Sequence, residues 1–294
     1  MAYKTGRVIL LGEANVGKSS IVNKIVGEDV AITADTPGTT REEIRGIKTT
    51  DTYQIIFQDV PGMQEKRNEL DRMMQKSIGT ALANTDVILY VLDATDFRDE
   101  HVAKVRNYAK KDKPIILLVN KADRTTMNRL YPKIAPLNEL EFVRAIIPTS
   151  AKTGMNMDVI ESEIVKHLPV GEAMFADDDF TDQSTRRMAE EIIRGAVMTH
   201  TRAELPHSVA VKITKWREEK REVEIHAEIY CVKASHKPII IGKRGQMLKL
   251  IGTDAREKIR QLTGKHTRLF THVLVREDWK NKKSLIEDFV KTNN

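Results

Sequence analysis

The 294-residue chain holds one cysteine, Cys231, two tryptophans and only 5% aromatic residues. With a single thiol no intramolecular disulfide can form, and nothing near Cys231 resembles a metal-ligand cluster, so a disulfide-stapled extracellular fold is excluded and a reducing compartment fits. Long apolar runs are missing as well. The strongest, VILYVLDA and PIILLVN, fall far short of the ~20 residues a spanning helix needs. The amino terminus, MAYKTGRVILLG, passes straight into an expected strand, with no signal or transit pattern. These absences together place the chain in the cytoplasm.

What is present suits a protein with two cores, at 40% hydrophobic and 31% charged residues. The net charge of +6 is unevenly spread: residues 1–180 carry 24 Lys+Arg against 27 Asp+Glu, and residues 181–294 carry 24 against 15, giving −3 and +9. A basic second half points to a polyanionic partner.

In the first half, Val/Ile/Leu-rich runs (RVILLG, YQIIFQDV, DVILYVLDA, PIILLVN, RAIIPTS) alternate with helical stretches. This rhythm predicts βαβ units around a buried, doubly wound parallel sheet. The pattern lapses in EAMFADDDFTDQST, so we expect a first domain over 1–172, a linker over 173–184 and a second domain over 185–294.

Residues 12–19, GEANVGKS, fit G-x-x-x-x-G-K-[ST] between an apolar run and the helical SSIVNKIVG. Glycines there let backbone N–H groups turn inward around a β-phosphate at a helix amino terminus, where the dipole favours negative charge. The expected phosphate cradle is Gly12, Glu13, Ala14, Asn15, Val16, Gly17, Lys18, Ser19 and Ser20, with Lys18 reaching the β/γ oxygens and Ser19 ligating Mg²⁺. The base is chosen elsewhere. Asn120, Lys121 and Asp123 of NKAD follow an apolar strand, and a carboxylate at Asp123 can accept from both N1–H and N2–H₂ of guanine, a donor pair adenine lacks. TSAK adds Ser150, Ala151 and Lys152, with the Ala151 amide aimed at the guanine carbonyl. GTP is therefore the expected nucleotide.

Two further loops are placed to sense the γ-phosphate. Asp59 and Gly62 of DVPG are expected to meet Mg²⁺ through water and the γ-phosphate through an amide, and Thr40 of PGTTRE, rather than Thr39, to complete the Mg²⁺ shell. Lys18, Thr40 and Gly62 are the candidate catalytic groups. After Gly62 comes Met63, where many GTPases place a water-orienting glutamine. A thioether cannot orient water, so slow intrinsic hydrolysis follows, with Gln64 one position further on as a candidate substitute.

The second half reads α-β-β-α-β-α, a small α+β domain. Within it stands PIIIGKRGQMLKLIG. G-x-x-G alone is expected about once by chance in such a chain, but here it follows the apolar Ile239–Ile241 and opens an amphipathic helix at Gln246. This is the layout of a KH loop that clamps a nucleic-acid backbone. Ile241, Gly242, Lys243, Arg244, Gly245 and Lys249 are the expected RNA contacts, the isoleucines flooring a groove for bases. Residues 233–268 carry ten Lys/Arg against Asp254 and Glu257.

On GEANVGKSS, TTRE, DVPG, NKAD, TSAK, LPHSVAV and IIIGKRGQMLKLIG, the chain resembles the Era GTPases over nearly its whole length. That resemblance implies a P-loop GTPase domain followed by a type II KH domain, binding of the 3′ end of 16S ribosomal RNA, and a role in small-subunit maturation. It also implies a cytoplasmic monomer that admits peripheral association with the inner membrane, and a position, Asn15, where this group can place a potassium ligand. GEAN stands where GRPN is usual, Ser20 where threonine is common, and DVPG in place of DTPG. A tandem GTPase would need a second P-loop, and one GKS is present. An RNA-binding protein holding nucleotide only structurally would show no turnover, and a membrane-remodelling GTPase would respond to lipid and ignore RNA.

Overall fold

The structure, a computed structural model, describes residues 2–33, 40–41, 43–62, 68–96, 98–109, 113–202 and 205–290. Two compact units emerge, the first holding most of the chain up to Asp182 and the second built on the chain from Gln183, with residues 32–33 and 68–73 grouped with it.

In the first unit the order is β1 (Lys4–Gly12), α1 (Lys18–Val26), β2 (Ile44–Thr49), β3 (Tyr53–Asp59), α2 (Glu69–Ala83), β4 (Val87–Asp93), α3 (Asp99–Ala109), β5 (Ile115–Asn120), α4 (Met127–Ile134), β6 (Val143–Pro148) and α5 (Met157–His167). The strands form one six-stranded sheet in the order β2-β3-β1-β4-β5-β6. Its central strands are apolar on both faces because helices cover both. Along β1, Val8 and Leu10 face Ile21, Ile25, Ile160 and Ile164, whereas Ile9 and Leu11 face Ile78, Leu82, Val105 and Leu130. Each such side chain, removed from water, contributes about 1.5–3 kcal/mol. All six residues of β5 are buried, which is why it reads as an apolar run up to Val119, with the polar Asn120 at its end.

The sheet is parallel except at β2, which pairs antiparallel with β3. Its sequence, IRGIKT, lacks the long apolar run of the others and does not announce a strand. An edge strand covered on one side needs fewer apolar residues. The acidic stretch read as a linker is docked along this edge. Phe180 O accepts from Ile47 N (2.9 Å), Thr181 Oγ1 donates to Arg45 O (2.7 Å), and Gln54 Nε2 donates to Phe175 O (2.9 Å). Edge backbone groups that would otherwise invite another chain are thereby occupied.

The second unit runs α6 (Thr185–His200), α7 (Leu205–Ser208), β7 (Val209–Glu218), β8 (Glu222–Cys231), α8 (His236–Ile241), α9 (Gln246–Thr263), β9 (His266–Val275) and α10 (Lys283–Val290). The three strands lie in the order β7-β8-β9, β7 antiparallel and β9 parallel to β8. Alternation in β8 sends Val223, Ile225, Ala227 and Ile229 into a core with Ile193, Ile251, Ala255 and Ile259. The two short helices α7 and α8 add to the six elements read from sequence.

Candidate nucleotide site and nucleic-acid interface

Parallel register gathers the first unit's motifs at one end of its sheet. Leu10 pairs with Asp59, Gly12 with Val91, and Asp93 with Asn120, so the chain leaves β1, β3, β4 and β5 at neighbouring points. Gly12 has φ 144° and Gly17 φ 97°, and a Cβ would lie 2.5 Å from Val91 O at the first and 2.2 Å from Asn120 Nδ2 at the second. Only glycine fits either place. Asn15 also takes a left-handed conformation, φ 64°. The loop feeds α1, whose first residues are Lys18, Ser19 and the half-buried Ser20.

Lys18 folds back over the loop, its Nζ donating to Glu13 O (2.9 Å) and Gly12 O (3.3 Å). Burial pulls its ammonium below the ordinary lysine range, with the Asp59 and Glu13 charges opposing. Nearby, Ser19 Oγ donates to Asp59 Oδ2 (2.6 Å), Thr40 Oγ1 reaches the same oxygen (3.2 Å), and the two hydroxyls lie 3.2 Å apart. Three residues from separate stretches of sequence thus converge on one buried point. Asp59 is fully buried, its Oδ1 has no partner, and burial pushes its carboxyl up against the pull of Lys18, Ser19 and Thr40. An orphaned carboxylate oxygen beside two hydroxyls is a hard-oxygen donor set that fits Mg²⁺. The Lys18 and Asp59 shifts have one cause: each charge is buried beyond what the other offsets, so each favours a bound counter-ion. Gly62 sits against the loop, where a Cβ would come within 2.9 Å of Ala14 Cα and N. Met63 and Gln64 lie outside the described residues.

At the base side, Asn120 is buried, its Nδ2 donating to Val16 O (2.7 Å) and its Oδ1 accepting from Ala151 N (3.1 Å). The Ala151 amide expected to meet a guanine carbonyl is therefore engaged by Asn120 in this structure, and a base would have to share or displace that bond. Asp123 is exposed, with Oδ1 accepting from the Oγ of buried Ser150 (2.7 Å); Lys152 is exposed. Lys121 has φ 63° and pairs through Nζ with Asp93 Oδ2 (2.6 Å). Burial raises the Asp93 carboxyl, but hydrogen bonds from Lys121 and Thr95 outweigh it and hold the group below the usual range. Sequence reading missed Asp93. Its signal was the acidic end of VLD beside the strand ending in Asn120. Glu13 points toward α3, within 2.5 Å of Lys104 Nζ and 3.5 Å of His101 Nε2.

In the second unit, Lys243–Gly245 form a 3-10 turn between α8 and α9. The two glycines have different tasks. A Cβ on Gly242 (φ 72°) would lie 2.6 Å from Met247 Cβ and 2.8 Å from Met247 N, whereas one on Gly245 (φ 77°) would meet nothing within 4 Å. Gly242 permits close packing and Gly245 permits the turn. Arg244 is also left-handed at φ 52°, and Lys243, Arg244 and Lys249 are exposed. The isoleucines do not all floor a groove. Helical rather than extended geometry turns Ile240 wholly into the core, packs Ile241 against it and leaves Ile239 52% exposed beside the turn.

Residues 7–121 match the family described as 50S ribosome-binding GTPase, and residues 204–280 match the KH domain. GTPase Era of Caldanaerobacter subterraneus subsp. tengcongensis is 40% identical over 289 residues, 97% of each chain. The chain belongs to the Era GTPase family. GTPase Era of Clostridioides difficile is 38% identical over 98% of each chain. Among solved structures, Era in complex with MgGDPNP and nucleotides 1506–1542 of 16S ribosomal RNA superposes with a TM-score of 0.94 at 35% identity, covering 98% of this chain and 99% of that one. A single-site variant of Aquifex aeolicus Era bound to GDP·AlF4⁻ gives 0.93 at 35% identity, with the same coverage. As an Era GTPase the chain is an α/β P-loop GTP hydrolase with a carboxy-terminal KH domain. No helix among the described residues is long and apolar enough to cross a membrane.

Proposed function

We propose that this GTPase binds the 3′ region of 16S ribosomal RNA through the GKRG turn of its KH domain and acts, as a cytoplasmic monomer, in maturation of the 30S subunit. The observation that carries the reading is the end-to-end likeness to Era in complex with MgGDPNP and nucleotides 1506–1542 of 16S ribosomal RNA. The exposed cations Lys243, Arg244 and Lys249 around a turn open at Gly245 support it. They suit a phosphate backbone approaching without a side chain in its path. In this reading 1–172 is the GTPase domain, 173–184 the connection and 185–294 the KH domain.

At the other site, the cradle from Gly12 to Ser20 wraps the phosphates and Asp123 selects guanine. Ser19, Thr40 and Asp59 would hold Mg²⁺, which when bound neutralises charge on the β- and γ-phosphates. Lys18 stands where it can leave the Glu13 and Gly12 carbonyls for the β/γ oxygens, and Gly62, packed against Ala14 of the loop, would offer its amide to the γ-phosphate. Water attacks the γ-phosphorus, the bond to the β–γ bridging oxygen breaks, and GDP and phosphate leave. With Met63 at the position after Gly62, water is oriented by other groups and intrinsic turnover is slow. Asn15 is the candidate potassium ligand. GTP turnover measured with and without a short 16S 3′-end RNA tests the assignment. Stimulation by that RNA, and none by a scrambled one or by anionic vesicles, is expected; stimulation by vesicles alone would replace it with a membrane-directed role.

A further inference from the structure

One acidic residue outside the base-pocket motifs is bonded into them. Asp93 ends β4 with both carboxylate oxygens engaged, Oδ2 by Lys121 Nζ (2.6 Å) and Oδ1 by Thr95 N (2.9 Å) and Thr95 Oγ1 (2.7 Å), so its rotamer is set. The pair is mostly withdrawn from water, at 18% and 24% side-chain exposure for Asp93 and Lys121. Beside it Ala94 N donates to Asn120 O (2.7 Å), which fastens the end of β4 to the start of the NKAD turn.

Lys121 is the pivot of that turn. Its φ of 63° is one that lysine rarely adopts, and it caps the 3-10 turn Ala122–Arg124 that carries Asp123 to Ser150. Such a conformation persists only where surroundings over-determine it. On the phosphate-loop side Lys121 and Asp93 line a cavity of about 230 Å³ together with Asn15 and Val16, and the neighbouring Asn120 is tied to that loop through Val16 O (2.7 Å). The backbone after Lys121 is fastened by Ala122 N donating to Thr149 O (3.0 Å) and Arg124 N donating to Lys121 O (3.0 Å), and the ion pair adds the restraint on the Lys121 side chain.

We infer that Asp93 is a positioning residue for guanine recognition: by gripping Lys121 Nζ it steadies the left-handed turn that aims Asp123. It touches no nucleotide and acts through Lys121. The inference rests on Asp123 as the guanine-reading carboxylate.

The test uses the full chain, with fluorescent GDP titrations, GTP and ITP competition, kcat at saturating GTP and thermal unfolding without nucleotide. Asp93→Asn keeps the shape and the Thr95 bonds but removes the charge. It should weaken GDP about tenfold, leave saturated kcat within about twofold, and narrow the preference for GTP over ITP, which lacks the N2 donors Asp123 would read. Lys121→Gly accepts the left-handed turn without help, so in that background Asp93→Asn should cost less than about twofold. If Asp93→Asn proves poorly folded, Lys121→Met interrogates the pair from the other side and should narrow the same GTP/ITP ratio. Native GDP affinity with an unchanged GTP/ITP ratio in folded Asp93→Asn would overturn the proposal. So would a full penalty persisting beside Lys121→Gly, which would route the effect through Thr95. Asp123→Asn in the native background separates the two failures: if it keeps full guanine preference, the base-pocket assignment is wrong rather than the role of Asp93.

Discussion

Gly245→Asp isolates nucleic-acid binding from folding, because a Cβ at this position meets nothing within 4 Å. The folding cost is then only that of placing aspartate at φ 77°, about 1 kcal/mol, since Asp visits the left-handed region more readily than most residues. For a unit of this size that lowers Tm by about 4–8 °C. A carboxylate brought within about 5 Å of a phosphate drawn to Lys243 and Arg244 repels it. At an effective dielectric of about 40–80 the repulsion is about 1–2 kcal/mol, a loss of about five- to thirtyfold in affinity. Fluorescence anisotropy with a labelled 16S 3′-end RNA reads the affinity, and a thermal melt confirms the fold. Gly242→Ala is the contrasting variant. Its Cβ lies 2.6 Å from Met247 Cβ and 2.8 Å from the Met247 backbone nitrogen, so it should lower Tm well beyond Gly245→Asp. Native RNA affinity in a folded Gly245→Asp protein would refute the reasoning and move the RNA surface away from the GKRG turn.

Asp123→Asn should lower GTP affinity and raise that for xanthosine nucleotides, which carry a carbonyl where guanine carries N2; competition binding checks this. Turnover should be faster in KCl than in NaCl at equal ionic strength, and Asn15→Ala should remove the difference, so equal rates in both salts would end the case for a potassium ligand. Because burial raises the Asp59 carboxyl in the folded state, its ionisation opposes folding of the metal-free protein as pH rises above the unfolded value. Asp59→Asn should therefore raise Tm in EDTA at neutral pH while abolishing Mg²⁺-dependent GTP binding, and a lower Tm in EDTA would contradict this. Lys243→Ala should flatten the salt dependence of RNA binding by about one unit of slope if it neutralises one phosphate.

Much of the nucleotide site was legible because its chemistry is written in short contiguous stretches. A backbone that must turn inward around phosphate requires glycine at fixed spacing, and Gly12 and Gly17 stand where any Cβ would strike Val91 or Asn120. The apolar runs of β4 and β5 were legible for a similar reason, since a strand buried on both faces leaves almost no polar positions. Edge strand β2 escaped notice because one-sided burial relaxes that demand, and Asp93 because nothing local ties the end of one strand to a motif 28 residues later.

By itself the sequence determined the family, the two-domain order, the parallel sheet and the residue types at each loop, since each follows from local backbone geometry or from periodic burial. Tertiary structure alone decided which of those residues meet. It brought Ser19 and Thr40 onto one oxygen of Asp59, set Asp93 against Lys121, sent Ile240 into the core while leaving Ile239 outside, and divided the work of Gly242 and Gly245. These contacts depend on sheet register and helix rotation, which arise when distant segments pack against one another and which no single stretch of sequence encodes.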